Sequence, residues 1–151
     1  MDQLKGLINP TGKEANMEVK RTERGWIGHF ICADRCRFRR NTLLEYNDIK
    51  IVVSSVGLME SSWKKGDKYY RGPFEEIGLD RYFETMVFHS KSEDTRYHDI
   101  DVSRQIYFTS PWCISELDAD DKANEMHDAV VEEISTRLLA GEKFEQKEEV
   151  Y

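Results

Sequence analysis

No stretch of this 151-residue chain approaches the roughly 18–20 consecutive apolar residues of a membrane-crossing helix, so no segment reads as a bilayer span. The opening residues, Met1-Asp2-Gln3-Leu4-Lys5-Gly6, lack a basic region followed by an apolar one, so they do not read as a secretory leader. Cysteine is sparse and odd in number: three residues, which read as reduced thiols in a cytosolic setting. There is no Walker A loop, no GxGxxG, no HExxH and no GxSxG, which argues against an ordinary cofactor enzyme and leaves no cofactor to expect. Internal repeats and Gly/Ser linkers are also missing, so the expectation is one domain over 17–141, with a loose arm at 1–16 and an acidic tail at 142–151.

What the chain does have is aromatic residues and unevenly placed charge. Seven Phe, seven Tyr and three Trp set it apart from disordered sequences. The net charge is −7, yet residues 116–151 hold twelve acids and four bases, while residues 1–115 hold seventeen acids and eighteen bases. An almost neutral body thus carries a strongly acidic C-terminal segment. Such a protein repels nucleic acid at long range, except through a local basic patch.

Hydropathy patterning predicts an α+β domain, a mainly antiparallel sheet of about five strands packed by a long C-terminal amphipathic helix. Strand candidates are a hairpin at 17–21 and 26–32, then 35–44, 49–56, 81–89 and 103–109. Asn47-Asp48 is the expected turn before the clearest strand, where Ile49, Ile51 and Val53 alternate with Lys50, Val52 and Ser54. Residues 57–80 carry Gly57, Gly66, Gly72-Pro73 and Gly78 around Trp63, Tyr69 and Tyr70, and read as a long functional or mobile loop. Ala123, Met126, Val130, Ile134 and Leu138 make one apolar helical stripe, with Ser115 or Asp118 as its cap and Gly141 at its end.

Two charged constellations stand out. Asp121, Glu125, Asp128 and Glu132 fall within about 60° of one another on the helix, opposite the stripe, with no lysine interleaved. They read as a docking surface for a basic partner, or more plainly as a solvated face. Arg35, Arg37 and Arg39 would project together from an extended strand, with Arg40 beside them, and could pair with phosphates or carboxylates. The plainer alternative is pairing with the chain's own acids. His29, Cys32 and Cys36, with Cys113, fit no standard zinc spacing, and in one strand His29 and Cys32 would face opposite ways. His98, Asp99 and Asp101 place paired carboxylates in a polar, loop-like stretch with nothing to split their pKa values. His127 sits near the helix's buried edge and reads as a packed core residue, and His89 is a lone histidine.

The strings Gly25-Trp26-Ile27-Gly28-His29-Phe30-Ile31-Cys32-Ala33-Asp34-Arg35-Cys36-Arg37-Phe38-Arg39-Arg40-Asn41-Thr42 and Gly78-Leu79-Asp80-Arg81-Tyr82-Phe83-Glu84-Thr85-Met86-Val87-Phe88-His89 resemble small phage and prophage proteins, mostly of unassigned function. The helix around Lys122-Ala123-Asn124-Glu125-Met126-His127 shares that resemblance. It covers about 25–140 and transfers no site residue. What it implies is a non-enzymatic inhibitor of a host defence nuclease or effector, anti-CRISPR proteins being examples, acting on a host protein in the cytosol. From the residues themselves two other readings stand: a small enzyme acting on a nucleotide or protein, with 57–80 as a lid, and an RNA- or DNA-binding module using Arg35 to Arg40. A homodimer, in which the basic and acidic patches meet, is also compatible.

Overall fold

The computed structural model describes residues 18–24, 29, 33–91 and 100–144; the expected arm at 1–16, most of 26–32, and the pair His98 and Asp99 lie outside them. Its elements are β1 (Lys20–Glu23), a 3₁₀ turn (Ala33–Arg35), β2 (Cys36–Tyr46), β3 (Ile49–Lys65), β4 (Lys68–Glu75), β5 (Phe83–Ser90), β6 (Ile100–Ile106), β7 (Cys113–Ile114) and α1 (Asp120–Leu139). All pairings are antiparallel, in the order β1-β2-β3-β5-β6, with β4 on the far half of β3 and β7 on the start of β5. The protein is α+β, as the patterning predicts: one large antiparallel sheet packed by the C-terminal helix. Among the described residues the sheet has seven strands rather than about five. No helix among the described residues is long and apolar enough to cross a membrane.

Helix α1 forms where its apolar positions recur. Ala123, Met126, Val130, Ile134 and Leu138 are all buried, together with His127, Val131 and Ser135. Val130, Val131, Ile134 and Leu138 meet Leu44, Ile51, Val53, Val87 and Ile106 of the sheet in the main core, while Ala123 and Met126 pack with Phe38, Leu58 and Phe83 in a second cluster. Each fully buried aliphatic side chain stabilises by about 1.5–3 kcal/mol relative to exposure. The helix starts after both expected caps: Ala119 is the N-cap, its methyl offers no acceptor for the first N–H groups, and it packs against Phe38 and Leu58 instead. Its other end closes as expected. Gly141 takes φ +89°, its N–H reaches the Leu138 carbonyl at 3.0 Å, and the Glu142 N–H reaches that of Arg137 at 3.1 Å. The chain then folds back, so that Phe144 is buried in the main core and its carbonyl accepts a 2.8 Å hydrogen bond from His89 Nε2.

β1 pairs with β2, Lys20 opposite Glu45, and its expected hairpin partner at 26–32 lies largely outside the described residues. One expectation about strands changes. The turn-rich stretch 57–80 is not a loop: β3 runs on through it to Lys65, turns at Gly66-Asp67 and returns as β4. Gly66 has φ +64°, the conformation a two-residue hairpin turn requires at its first position. Gly57 is a packing glycine, since a Cβ there would lie 2.4 Å from Phe83 Cδ1. Pro73 is tolerated because β4 is an edge strand.

Candidate functional site

The acidic row on α1 is half occupied by the protein's own arginines. Arg40 Nη1 bonds Asp128 at 2.8 Å and its Nη2 bonds Glu23 at 3.0 Å. Arg21 bonds Glu132 and holds that carboxyl below its usual range, chiefly through the hydrogen bond. Asp121 and Glu125 remain exposed, and neither has a cationic partner among the described residues. The four carboxylates therefore do not act as one unneutralised surface. The pairs join residues 88 and 111 positions apart, which helical periodicity cannot reveal.

The arginine series divides in the same way. Arg35 ends the 3₁₀ turn, donates to the Glu60 carbonyl at 2.8 Å and lies 3.9 Å from Glu75. Arg37 and Arg39 are exposed and alternate along β2. Arg37 stacks its guanidinium 5.9 Å from the Phe74 ring. Arg40 belongs to the opposite face, the one under the helix, because a strand alternates its side chains. Of the four, Arg37 and Arg39 are exposed and have no carboxylate partner among the described residues.

Sequence reasoning passed over the β3–β4 arm. β2 stops pairing with β3 at Met59, so beyond that point β3 has only β4 beside it among the described residues. Six further residues at about 3.4 Å each carry the hairpin roughly 20 Å outward. Residues 62–71 hold four bases and one acid in a chain of net charge −7. Lys64 stands opposite Tyr69, with its ammonium 5.6 Å from that ring, and Lys65 stands opposite Lys68. Tyr69 is 77% exposed and Tyr70 40%. Lys64, Lys65 and Lys68 have no carboxylate partner among the described residues. Like charges directly opposite destabilise a strand pair, and a two-stranded hairpin is marginal alone in water. The available signal was Gly66-Asp67 flanked by Trp63 and Tyr70, a hairpin turn between β-forming residues.

The centre of the sheet is polar through its whole thickness. Ser54 and Ser55 are adjacent and point to opposite faces, and each meets a histidine. Under the helix, His127 is fully buried between Ser55 Oγ at 2.6 Å from Nδ1 and Thr42 Oγ1 at 2.7 Å from Nε2. Thr42 donates to the Glu23 carboxylate at 2.8 Å, so its oxygen can only accept from His127. The neutral ring therefore carries its proton on Nε2, Ser55 donates to Nδ1, and Thr85 donates to Ser55 at 2.6 Å. A proton added at Nδ1 would reverse this row. Burial, reinforced by the charge of Arg40, pushes the His127 pKa down to about 4. His127 is thus the core residue its position predicts.

On the other face, His29 Nδ1 lies 2.8 Å from Ser54 Oγ and its Nε2 2.9 Å from Glu84 Oε1, while Arg81 Nε holds Glu84 Oε2 at 2.9 Å. Burial alone would raise the Glu84 carboxyl, but the His29 hydrogen bond and the charges of His29 and Arg81 hold it below its usual range. Serine, histidine and glutamate in this order have the composition of a hydrolytic triad. Ser54, however, is fully buried, and its oxygen already takes the His29 backbone N–H at 3.1 Å. All three side chains are buried, and the group ties His29 to both β3 and β5. Among the described residues no three His, Cys, Asp or Glu converge as metal ligands; Cys36 is buried and Cys113 exposed. Asp101 accepts from the Ser103 N–H and hydroxyl, closing a local turn. No protein-family model, curated protein or solved structure matches the chain.

Proposed function

We propose that this is a nucleic-acid-binding protein that engages single strands through the β3–β4 arm, with Arg37 and Arg39 at its base. The observation that carries this reading is the placement of Lys64, Lys65 and Lys68, interleaved with exposed Tyr69 and Tyr70, on a projecting hairpin of an acidic chain. Ammonium groups track a phosphate backbone, and aromatic faces stack on its bases. The net charge of −7 is no obstacle. The roughly 20 Å reach of the arm exceeds the Debye length of about 8 Å at physiological salt, so the tip acts apart from the body's charge. This reading takes the arginines of β2 as contributors, without Arg40, which the protein uses internally.

A fluorescent single-stranded oligonucleotide, titrated at several salt concentrations, tests it. Binding should weaken linearly on a log–log plot, with a slope of about −0.7 per phosphate contact. Lys64→Glu, Lys65→Glu and Lys68→Glu together should reduce that slope by about 2. A wild-type protein that binds nothing at low salt, or a triple variant with the same slope, refutes the reading.

A second reading rests on Asp121 and Glu125, which the arginines leave open. They would serve a host-defence inhibitor, carried by a phage or mobile element, as the contact for a basic nuclease surface. Asp121→Lys with Glu125→Lys should then abolish capture of that partner while oligonucleotide binding rises. Unchanged capture would remove this surface from consideration.

A further inference from the structure

Between β6 and β7 the edge of β5 is left open. β6 pairs with β5 from Val87 onward, and β7 pairs with Phe83 and Glu84, so the chain leaves the sheet after Ile106 and rejoins it at Trp112. The gap is a cleft of ≈ 330 Å³ lined by Thr85, Met86, Tyr107, Phe108 and Trp112 among others. That size falls in the small-ligand class, which starts at about 300 Å³.

The connecting loop is held open by construction. The Glu133 carboxylate accepts from the Thr109 and Ser110 backbone N–H groups, at 2.8 Å each, and from both hydroxyls, at 2.9 and 2.7 Å. Arg137 Nη1 donates to the Tyr107 carbonyl at 2.8 Å. Tyr107 is 77% exposed and Trp112 43% exposed, and both line the cleft. Just outside the cleft's lining, the Arg81 guanidinium lies over the Trp112 ring, 5.0 Å from its centroid, and against Gly78. Its Nε is spent on Glu84, and its two Nη groups have no partner among the described residues.

Aromatic rings lining a cleft, one of them under a guanidinium, match one ligand chemistry: a π-rich ring carrying an anion. We infer that this cleft binds a nucleotide, with the base between Tyr107 and Trp112 and the phosphate on the Nη groups of Arg81. The inference rests on the nucleic-acid reading and gives it a second contact, one base of the strand held away from the arm.

Adenosine 5′-monophosphate is the probe, titrated into the full chain by calorimetry and by tryptophan fluorescence, with adenosine and inorganic phosphate as controls. The monophosphate should bind saturably and quench the emission, several-fold tighter than adenosine, and phosphate alone should not quench. Tyr107→Ala, a change at an exposed position, should weaken binding about tenfold, the usual loss of a base–aromatic stack. No saturable signal from the wild type, or equal affinity in Tyr107→Ala, overturns the inference. Arm variants should leave monophosphate binding intact. If the monophosphate fails while salt-dependent oligonucleotide binding persists, the cleft assignment alone falls. If the oligonucleotide fails and the monophosphate binds, the arm reading falls instead.

Discussion

Acid should loosen this protein through one imidazole. His127 is neutral and fully buried, with its pKa moved from an ordinary 6.5 to about 4. Its folded pKa lies below its unfolded value, so between pH 6.5 and 4 the unfolded chain binds more protons. Stability is therefore complete above about pH 6.5 and is lost as pH falls toward 4. At about 1.4 kcal/mol per unit, the loss between pH 7 and 4.5 is about 2 kcal/mol from this group. Urea unfolding of wild type and His127→Gln, compared at pH 7 and pH 4.5, isolates it, because other groups titrate alike in both. The variant is less stable at pH 7 but should have a pH dependence shallower by about 2 kcal/mol across the interval. Proton NMR of the wild-type His127 ring gives a second reading: it should not titrate between pH 7 and 5. A ring that titrates near 6.5, or parallel stability profiles for the two proteins, would refute the buried-neutral assignment.

Other substitutions sort the ion pairs and the packing. Arg21→Ala removes an exposed pair and should cost no more than about 1 kcal/mol, whereas Arg40→Ala breaks the link between Glu23 and Asp128 and should cost about 2 kcal/mol; equal losses by denaturant titration would contradict this ranking. Gly57→Ala forces a methyl to within 2.4 Å of Phe83 and 2.7 Å of the Tyr82 carbonyl, so a loss of about 3 kcal/mol is expected, and a change under about 0.5 kcal/mol would mean the strands part freely. Gly141→Ala meets no neighbour but must hold φ at +89°, so about 1 kcal/mol should be lost, visible as a lower thermal midpoint.

The parts legible in the sequence are those fixed by short-range periodicity. The stripe from Ala123 to Leu138 announces its helix because five apolar residues recur at helical steps, and 49–56 announces a strand by alternation. The arm was hidden because Gly57, Gly66, Gly72-Pro73 and Gly78 read as successive breakers. In the structure these positions have different reasons: Gly57 makes room for Phe83, Gly66 turns the hairpin, and Pro73 sits on an edge. The acidic row was legible as a row and illegible as a surface, since Arg21 and Arg40 reach it from strands about a hundred residues away. Likewise nothing local ties His127 to Ser55, or His29 to Glu84; those bonds exist only once β3 and β5 are aligned.

The neighbouring hydroxyls of Ser54 and Ser55 have a consequence for how the sheet chooses its alignment. A slide of β3 by one position would leave one of the two imidazoles facing a valine methyl, and a slide by two that brings in Val52 and Val53 would do so to both while pushing both alcohols into hydrocarbon. Hydrocarbon packing alone would scarcely discriminate, since Val52, Val53 and Val56 are interchangeable in shape and equally enclosed. The two serines therefore act as a latch that lets β3 and β5 click together in one position only.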